Sequence, residues 1–215
     1  MFPDDCLSNL FETTEYTLNT YTNGDLSVQA WESIACCTDM DRTGTVLWTG
    51  TYPLISYIFS DCHDVFETGK TVVELGAGIA LPSLFVAKYF SCKCLATDGE
   101  DEIVDLILRN ADTNNLSLNA ASLEWDECKA KEFVKEHGYF DVVIGAEILY
   151  DPCCYNPLLT TISVLLKDSS STAIIAYKKR SEVGHRLLLE ALDDCGLRYN
   201  MIAKENDCWI INLKK

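Results

Sequence analysis

From residue 71 onward, short β-branched apolar runs alternate with longer stretches of helical period, and this alternation predicts a parallel sheet flanked by helices. Thr71–Leu75 reads as a buried strand, Leu81–Phe90 as a helix and Cys92–Ala96 as the next strand. A helix over Glu100–Asn114, a strand over Ser117–Leu123 and a helix over Lys129–His137 follow. The pattern repeats with strand Asp141–Gly145, helix Tyr155–Leu166, strand Thr172–Tyr177 and helix Ser181–Cys195. It closes on two strands without an intervening helix, Arg198–Ala203 and Cys208–Asn212. Upstream, Tyr16–Tyr21 and Leu26–Trp31 flank Asn23-Gly24, a strong hairpin signal, and Thr51–Phe59 has helical period.

These elements predict one α/β domain: a doubly wound sheet of seven strands with an antiparallel hairpin at its end. Residues 1–45 are expected to form a β-hairpin extension packed on a core made by residues 46–215. Asp168-Ser169-Ser170-Ser171 is a turn rather than a linker, and no internal repeat is visible. In such a sheet, ligands sit outside the carboxyl ends of the strands at the switch point of strand order. Those ends carry Glu74–Gly78, Asp98, Trp125 and Ala146–Tyr150.

Composition narrows the partners. The chain has 215 residues, 48% of them hydrophobic, enough for one sizeable core. No apolar run reaches the roughly 18 residues of a membrane span, and Met1–Leu10 carries acids, so a soluble cytoplasmic or nuclear protein with no membrane partner is expected. A net charge of −16 argues against nucleic acid, whose binding rests on neutralising phosphates. The eleven cysteines are odd in number and several fall in predicted helices and strands, which favours reduced thiols over a disulfide framework. Cys36-Cys37 and Cys153-Cys154 are adjacent and the three histidines are scattered, so no metal-ligand spacing occurs. A monomer is expected.

Gly76-Ala77-Gly78 lies at the end of the first core strand, where glycine lets the backbone turn tightly and approach a ligand. The third glycine of a dinucleotide fingerprint is absent, its place taken by Ala80. Glu74 just before the loop and Asp98 at the end of the next strand suit a cationic ligand with a ribose. Two carboxylates would repel the phosphates of a dinucleotide, whereas S-adenosylmethionine carries a sulfonium, an ammonium and a ribose diol. The acids therefore favour the methyl donor. Asp98 is suited to accept from the ribose hydroxyls, and Trp125 to lie against an adenine face.

Five blocks then resemble a known family. TGTVLW ending at Trp48, ELGAGIALP from Glu74, LATD ending at Asp98, LEW ending at Trp125 and DVVIGAEILYDP from Asp141 resemble the seven-β-strand methyltransferases, and within them the family-16 protein lysine methyltransferases. YKKRSE from Tyr177 and the N-terminal hairpin also look like that family. The resemblance implies a Rossmann-like seven-stranded methyltransferase sheet with helices on both faces. It also implies S-adenosylmethionine as donor, S-adenosylhomocysteine as product, and contacts from Trp48, Gly76, Ala77, Gly78, Asp98, Trp125 and Ala146. Glu74 joins this set through its position before the glycine loop.

On the acceptor side the resemblance points to Glu147 and Tyr150. The family's motif usually begins with Asp; here Glu147 reaches one methylene further. A carboxylate holds a proton on a lysine amine, so Glu147 is read as the group that docks and orients the amine rather than as a strong base. Tyr150 is read as offering its ring or its hydroxyl. The implied substrate is a lysine of a protein such as an elongation factor or a chaperone. Alternatives are a histidine acceptor, a small-molecule acceptor, or a non-catalytic binding module of the same fold. A competing reading of Glu147–Tyr150 is a capped helix start beside Pro152.

Overall fold

The computed structural model describes residues 15–34, 40–204 and 206–215, with the side chains of 40–42 left aside. Met1–Leu10 and Cys36-Cys37, named above, lie outside the described residues. The strands are β1 (Tyr16–Asn23), β2 (Leu26–Ser33), β3 (Thr71–Glu74), β4 (Lys93–Asp98), β5 (Asn119–Ser122), β6 (Val142–Ala146), β7 (Thr172–Lys178), β8 (Arg198–Ala203) and β9 (Cys208–Lys214). The helices are α1 (Thr51–Ser60), α2 (Leu81–Tyr89), α3 (Asp101–Thr113), α4 (Glu127–His137), α5 (Tyr155–Leu165) and α6 (Glu182–Asp194).

Strands β3 to β9 form one sheet in the order β5-β4-β3-β6-β7-β9-β8. The first five are mutually parallel, and β9 runs antiparallel to both β7 and β8. The α/β class, the seven strands and the terminal hairpin match expectation. Each inner strand is covered on both faces, which explains runs such as Val72-Val73 with no polar alternation. On one face Val72, Ala96, Ile144, Ile174 and Ile210 pack with α1, α2 and α3 through Leu54, Ile58, Leu84, Phe85 and Ile107. On the other, Val73, Leu95, Val143, Ile175 and Ile211 pack with α4, α5 and α6 through Phe133, Leu158, Ile162, Leu188 and Leu192.

Several element boundaries differ from the sequence reading by one or two residues. Helix α4 begins two residues early because the Asp126 carboxylate accepts from the Cys128 and Lys129 amides as an N-cap. Strand β5 is trimmed to four residues at the sheet edge, and β4 runs on through Asp98 itself. Residues 147–151 form a loop rather than a helix start; the Asp151 side chain caps a short 3-10 turn, Pro152–Cys154, that leads into α5.

The hairpin β1–β2 turns on Gly24-Asp25, and its free β2 edge is closed by two asparagines of α3. Asn110 accepts from the Trp31 amide at 2.7 Å and donates to the Trp31 carbonyl, while Asn114 does the same for Gln29. The two side chains, one helical turn apart, mimic a neighbouring strand. Asn110 also donates to the Ile79 carbonyl at 3.0 Å, which ties the hairpin to the loop after β3.

Candidate functional site

Strand order reverses at β3, whose neighbours are β4 on one side and β6 on the other. At the carboxyl ends of these strands lies a cavity of about 470 Å³, within the range of small-ligand sites. Trp48, Glu74, Gly76, Ala77, Gly78, Asp98, Trp125, Ala146, Glu147 and Tyr150 all line it. Every residue singled out from the sequence is thus brought to one place.

The glycine loop has little freedom to be anything else. Gly76 and Gly78 have φ of +56° and +52°. A Cβ on Gly76 would stand 2.7 Å from Ile148 and 3.1 Å from the Trp125 ring; one on Gly78 would stand 2.9 Å from the Gly44 carbonyl oxygen. The segment before α1 therefore lies directly over the loop, and the 3-10 turn Met40–Thr45 roofs this end of the cavity. Ala80, where a third glycine was looked for, is fully buried at φ +59°. It takes the left-handed conformation that glycine adopts without cost, and so carries about 1–2 kcal/mol of strain.

The two acids are fixed by backbone amides. Asp98, which lines the cavity, accepts from Gly78 at 3.0 Å and from Gly99 at 2.8 Å, and the Glu100 amide also bonds it. Burial holds its pKa above the usual carboxylate range, against the pull of those amides. Glu74 is 1% exposed and accepts from the Ser83 amide, in the first turn of α2, at 2.9 Å. No cation pairs with it among the described residues, and burial pushes its pKa up to about 8.

The acceptor side is built differently. Glu147 follows β6 at φ +56° with its side chain buried. Its Oε1 accepts from the Gly50 amide at 2.6 Å and from the Thr49 hydroxyl at 3.2 Å. Its Oε2 accepts from Arg180 Nη2 at 2.8 Å. Both oxygens of the carboxylate are therefore engaged within the chain. Gly50 permits this: a Cβ there would lie 2.5 Å from Glu147 Cγ. Arg180 also stands over the Trp48 ring, its Cζ 5.1 Å from the centroid, while Trp48 Nε1 donates to the Thr43 carbonyl. Tyr150 lies at the rim, 48% exposed, and burial of its hydroxyl with the nearby Cys154 and Asp151 raises its pKa, so it stays a proton donor.

Sequence reasoning missed Thr49, Gly50 and Arg180. Arg180 lies within the YKKRSE stretch, whose resemblance was noted without a role. Gly50, next to Trp48 and just before a helix, was a turn signal that went unread.

A family model described as lysine methyltransferase matches residues 30–193. The chain belongs to the lysine methyltransferase family. It is 27% identical over 168 residues to calmodulin-lysine N-methyltransferase of Arabidopsis thaliana, covering 75% of this chain and 54% of that protein. It is also 27% identical over 180 residues to the mouse protein-lysine N-methyltransferase EEF2KMT, covering 74% and 52%. The chain thus spans about half the length of the curated relatives it matches. Among solved structures, SMU.776, described as a methyltransferase and crystallised with SAH, superposes with a TM-score of 0.64 at 13% identity, over 92% of this chain and 56% of that one. At that identity the likeness concerns the fold, and it is the Rossmann-like methyltransferase fold described above.

Proposed function

We propose that this member of the lysine methyltransferase family transfers a methyl group from S-adenosylmethionine to a lysine side chain of a protein. The observation that carries the reading is the convergence of ten residues, from four strand ends and the segment before α1, on one cavity.

The residues fit the donor. Gly76 and Gly78 form a loop with no Cβ in the way, Asp98 lines the cavity as an acceptor for a ribose hydroxyl, and Trp125 lines its wall as an aromatic surface for adenine. Glu74 provides a buried acid with no resident cation among the described residues. Trp48, Ala77 and Ala146 complete the wall. When bound, S-adenosylmethionine supplies an electrophilic methyl group on a sulfonium. The chain's own task is then to align a neutral amine and exclude water. A free lysine has a pKa of about 10.4, so less than about one part in a thousand is neutral at pH 7. Glu147 captures and orients the arriving ammonium, desolvation in the cavity favours loss of its proton, and Tyr150 directs the nitrogen by its ring or hydroxyl.

The substrate is read as a protein because relatives the chain matches are named for protein-lysine methylation. A translation factor or a chaperone in the cytoplasm or nucleus, met by a monomer, remains the reading carried from the sequence. The acid excess continues to argue against nucleic acid.

The test is incubation of the protein with isotopically labelled donor and a cell extract, then mass spectrometry of labelled peptides. Label on lysine is expected; label on histidine, or only in the small-molecule fraction, would replace the acceptor assignment. Asp98→Ala is expected to abolish donor binding, and Glu147→Ala to spare binding and lose transfer. Unchanged transfer in both variants would remove the site assignment.

A further inference from the structure

The Glu147 carboxylate proposed to capture an ammonium already holds a cation of this chain. We propose that the Arg180 guanidinium occupies the seat of the acceptor's ammonium, so that entry of a lysine side chain exchanges one cation for another on Glu147. This rests on the reading of Glu147 given under Proposed function.

Three features of the arrangement support it. First, the seat has the two elements that recognise an organic cation, a carboxylate oxygen and an aromatic face: Arg180 Nη2 lies 2.8 Å from Glu147 Oε2, and its Cζ lies 5.1 Å from the Trp48 centroid. Second, the two Glu147 oxygens have different tasks. Oε1 is anchored by Gly50 and Thr49 and cannot follow a departing partner, while Oε2, bonded to Arg180, belongs to a side chain that lines the cavity. Third, mobility is distributed unequally. The Glu147 side chain is 3% exposed, whereas that of Arg180 is 45% exposed and stems from the irregular segment between β7 and α6. Arg180 can therefore swing into water at small desolvation cost, while the carboxylate stays.

The exchange has a consequence for specificity. Leaving a buried carboxylate without a partner is costly, so the seat opens only to a group that brings a positive charge. A lysine ammonium brings one; an imidazole that is neutral at pH 7 does not. Arg180 is thus a specificity-determining residue, seated against the Trp48 ring of the same cavity.

The apparent affinity of the seat is lowered by the fraction of molecules in which Arg180 fills it. For a pair of which one partner is half exposed, the expected factor is about two to six. The probe is n-butylammonium, which carries a lysine side chain's head and stem, titrated by calorimetry at pH 7 into the protein with and without S-adenosylhomocysteine. Arg180→Ala is expected to bind the probe about two- to sixfold more tightly than the unsubstituted chain, and Arg180→Ala combined with Glu147→Gln to lose that gain. Arg180→Gln retains an amide donor to Glu147 and serves if Arg180→Ala does not fold. 1-Butylimidazole at pH 8 is expected not to share the gain. Equal probe affinity with and without Arg180, or a gain that survives Glu147→Gln, would overturn the proposal, as would butylimidazole binding with the same gain. No methyl transfer enters this measurement. Failure to label lysine in extract would therefore sink the proposed function and leave the seat standing, and failure here would do the reverse.

Discussion

Glu74 links donor binding to pH. Its carboxyl is buried against the first turn of α2, and burial sets its pKa at about 8. On that value the group is about 1% ionised at pH 6, about 10% at pH 7 and half ionised at pH 8. A cationic ligand arriving beside it favours the carboxylate, so binding must drive a proton off. Affinity is then expected to rise with pH by up to about tenfold per unit between pH 6 and pH 8, and to level off above that. Between pH 6 and pH 9 the total is up to about ninetyfold.

The assay is calorimetric titration of S-adenosylmethionine into the protein at pH 6, 7 and 8, in pairs of buffers with different ionisation heats, so that released protons are counted directly. About one proton is expected at pH 6 and 7, falling to about half at pH 8. Glu74→Gln keeps the acceptor for the Ser83 amide and should remove both the proton release and the pH slope, while still reporting any titration of the ligand's own amine. Equal slopes in the two proteins would refute the reasoning. The same residue acts on the stability of the free chain. Its folded pKa lies above the ordinary carboxylate value of 4.5, so the folded state holds a proton that the unfolded state has lost. The stability it contributes is whole below about pH 4.5 and is lost as pH rises toward 8, by up to about 1.4 kcal/mol per unit. Thermal unfolding of Glu74→Gln should lack that decline.

Asn110→Ala removes bonds to the Trp31 amide, the Trp31 carbonyl and the Ile79 carbonyl from a fully buried position. A loss of about 2–4 kcal/mol in denaturant unfolding is expected, with faster amide exchange across β2; a loss under about 1 kcal/mol would show that the hairpin is held by its apolar contacts alone. Gly78→Ala combines a φ of +52° with a Cβ 2.9 Å from the Gly44 carbonyl, and should cost about 2 kcal/mol or more together with donor affinity measured by titration. Leu158→Ala empties a fully buried position of α5 that does not itself line the cavity. It should lower stability by about 2–5 kcal/mol while leaving donor affinity, measured at a temperature where the variant is folded, close to that of the unsubstituted chain.

The gathering of the proposed donor-side residues at one cavity was legible because its signals are local. A buried strand, two glycines and an acid at each strand end fall within residues 71–98, and the parallel sheet brings β3 and β4 together in the register that sets Glu74 beside Ala96. Trp125 and Ala146 followed once the strand ends were placed, and boundary errors of a few residues at β5 and α4 did not move them. The acceptor half was legible in its residues but not in their state. Glu147 is separated by 97 residues from Gly50 and by 33 from Arg180, and no period or spacing announces such contacts. Only the tertiary fold, which stacks the segment before α1 against the ends of β6 and β7, shows that its carboxylate is already occupied.

That occupancy also accounts for the glutamate where the resembling family usually has aspartate. With φ at +56°, the Glu147 side chain leaves β6 toward the segment before α1, and its Oε1 meets the Gly50 amide at 2.6 Å while Oε2 meets Arg180 at 2.8 Å. A side chain one methylene shorter leaves the same Cα with its carboxylate short of at least one of these partners. The extra methylene is accommodated because residue 50 has no Cβ: one placed there would stand 2.5 Å from Glu147 Cγ. Gly50 and Glu147 are therefore a matched pair. A glycine suits the N-cap of α1 on its own account, and the space it leaves is what lets a buried acid stand at residue 147 in a left-handed conformation.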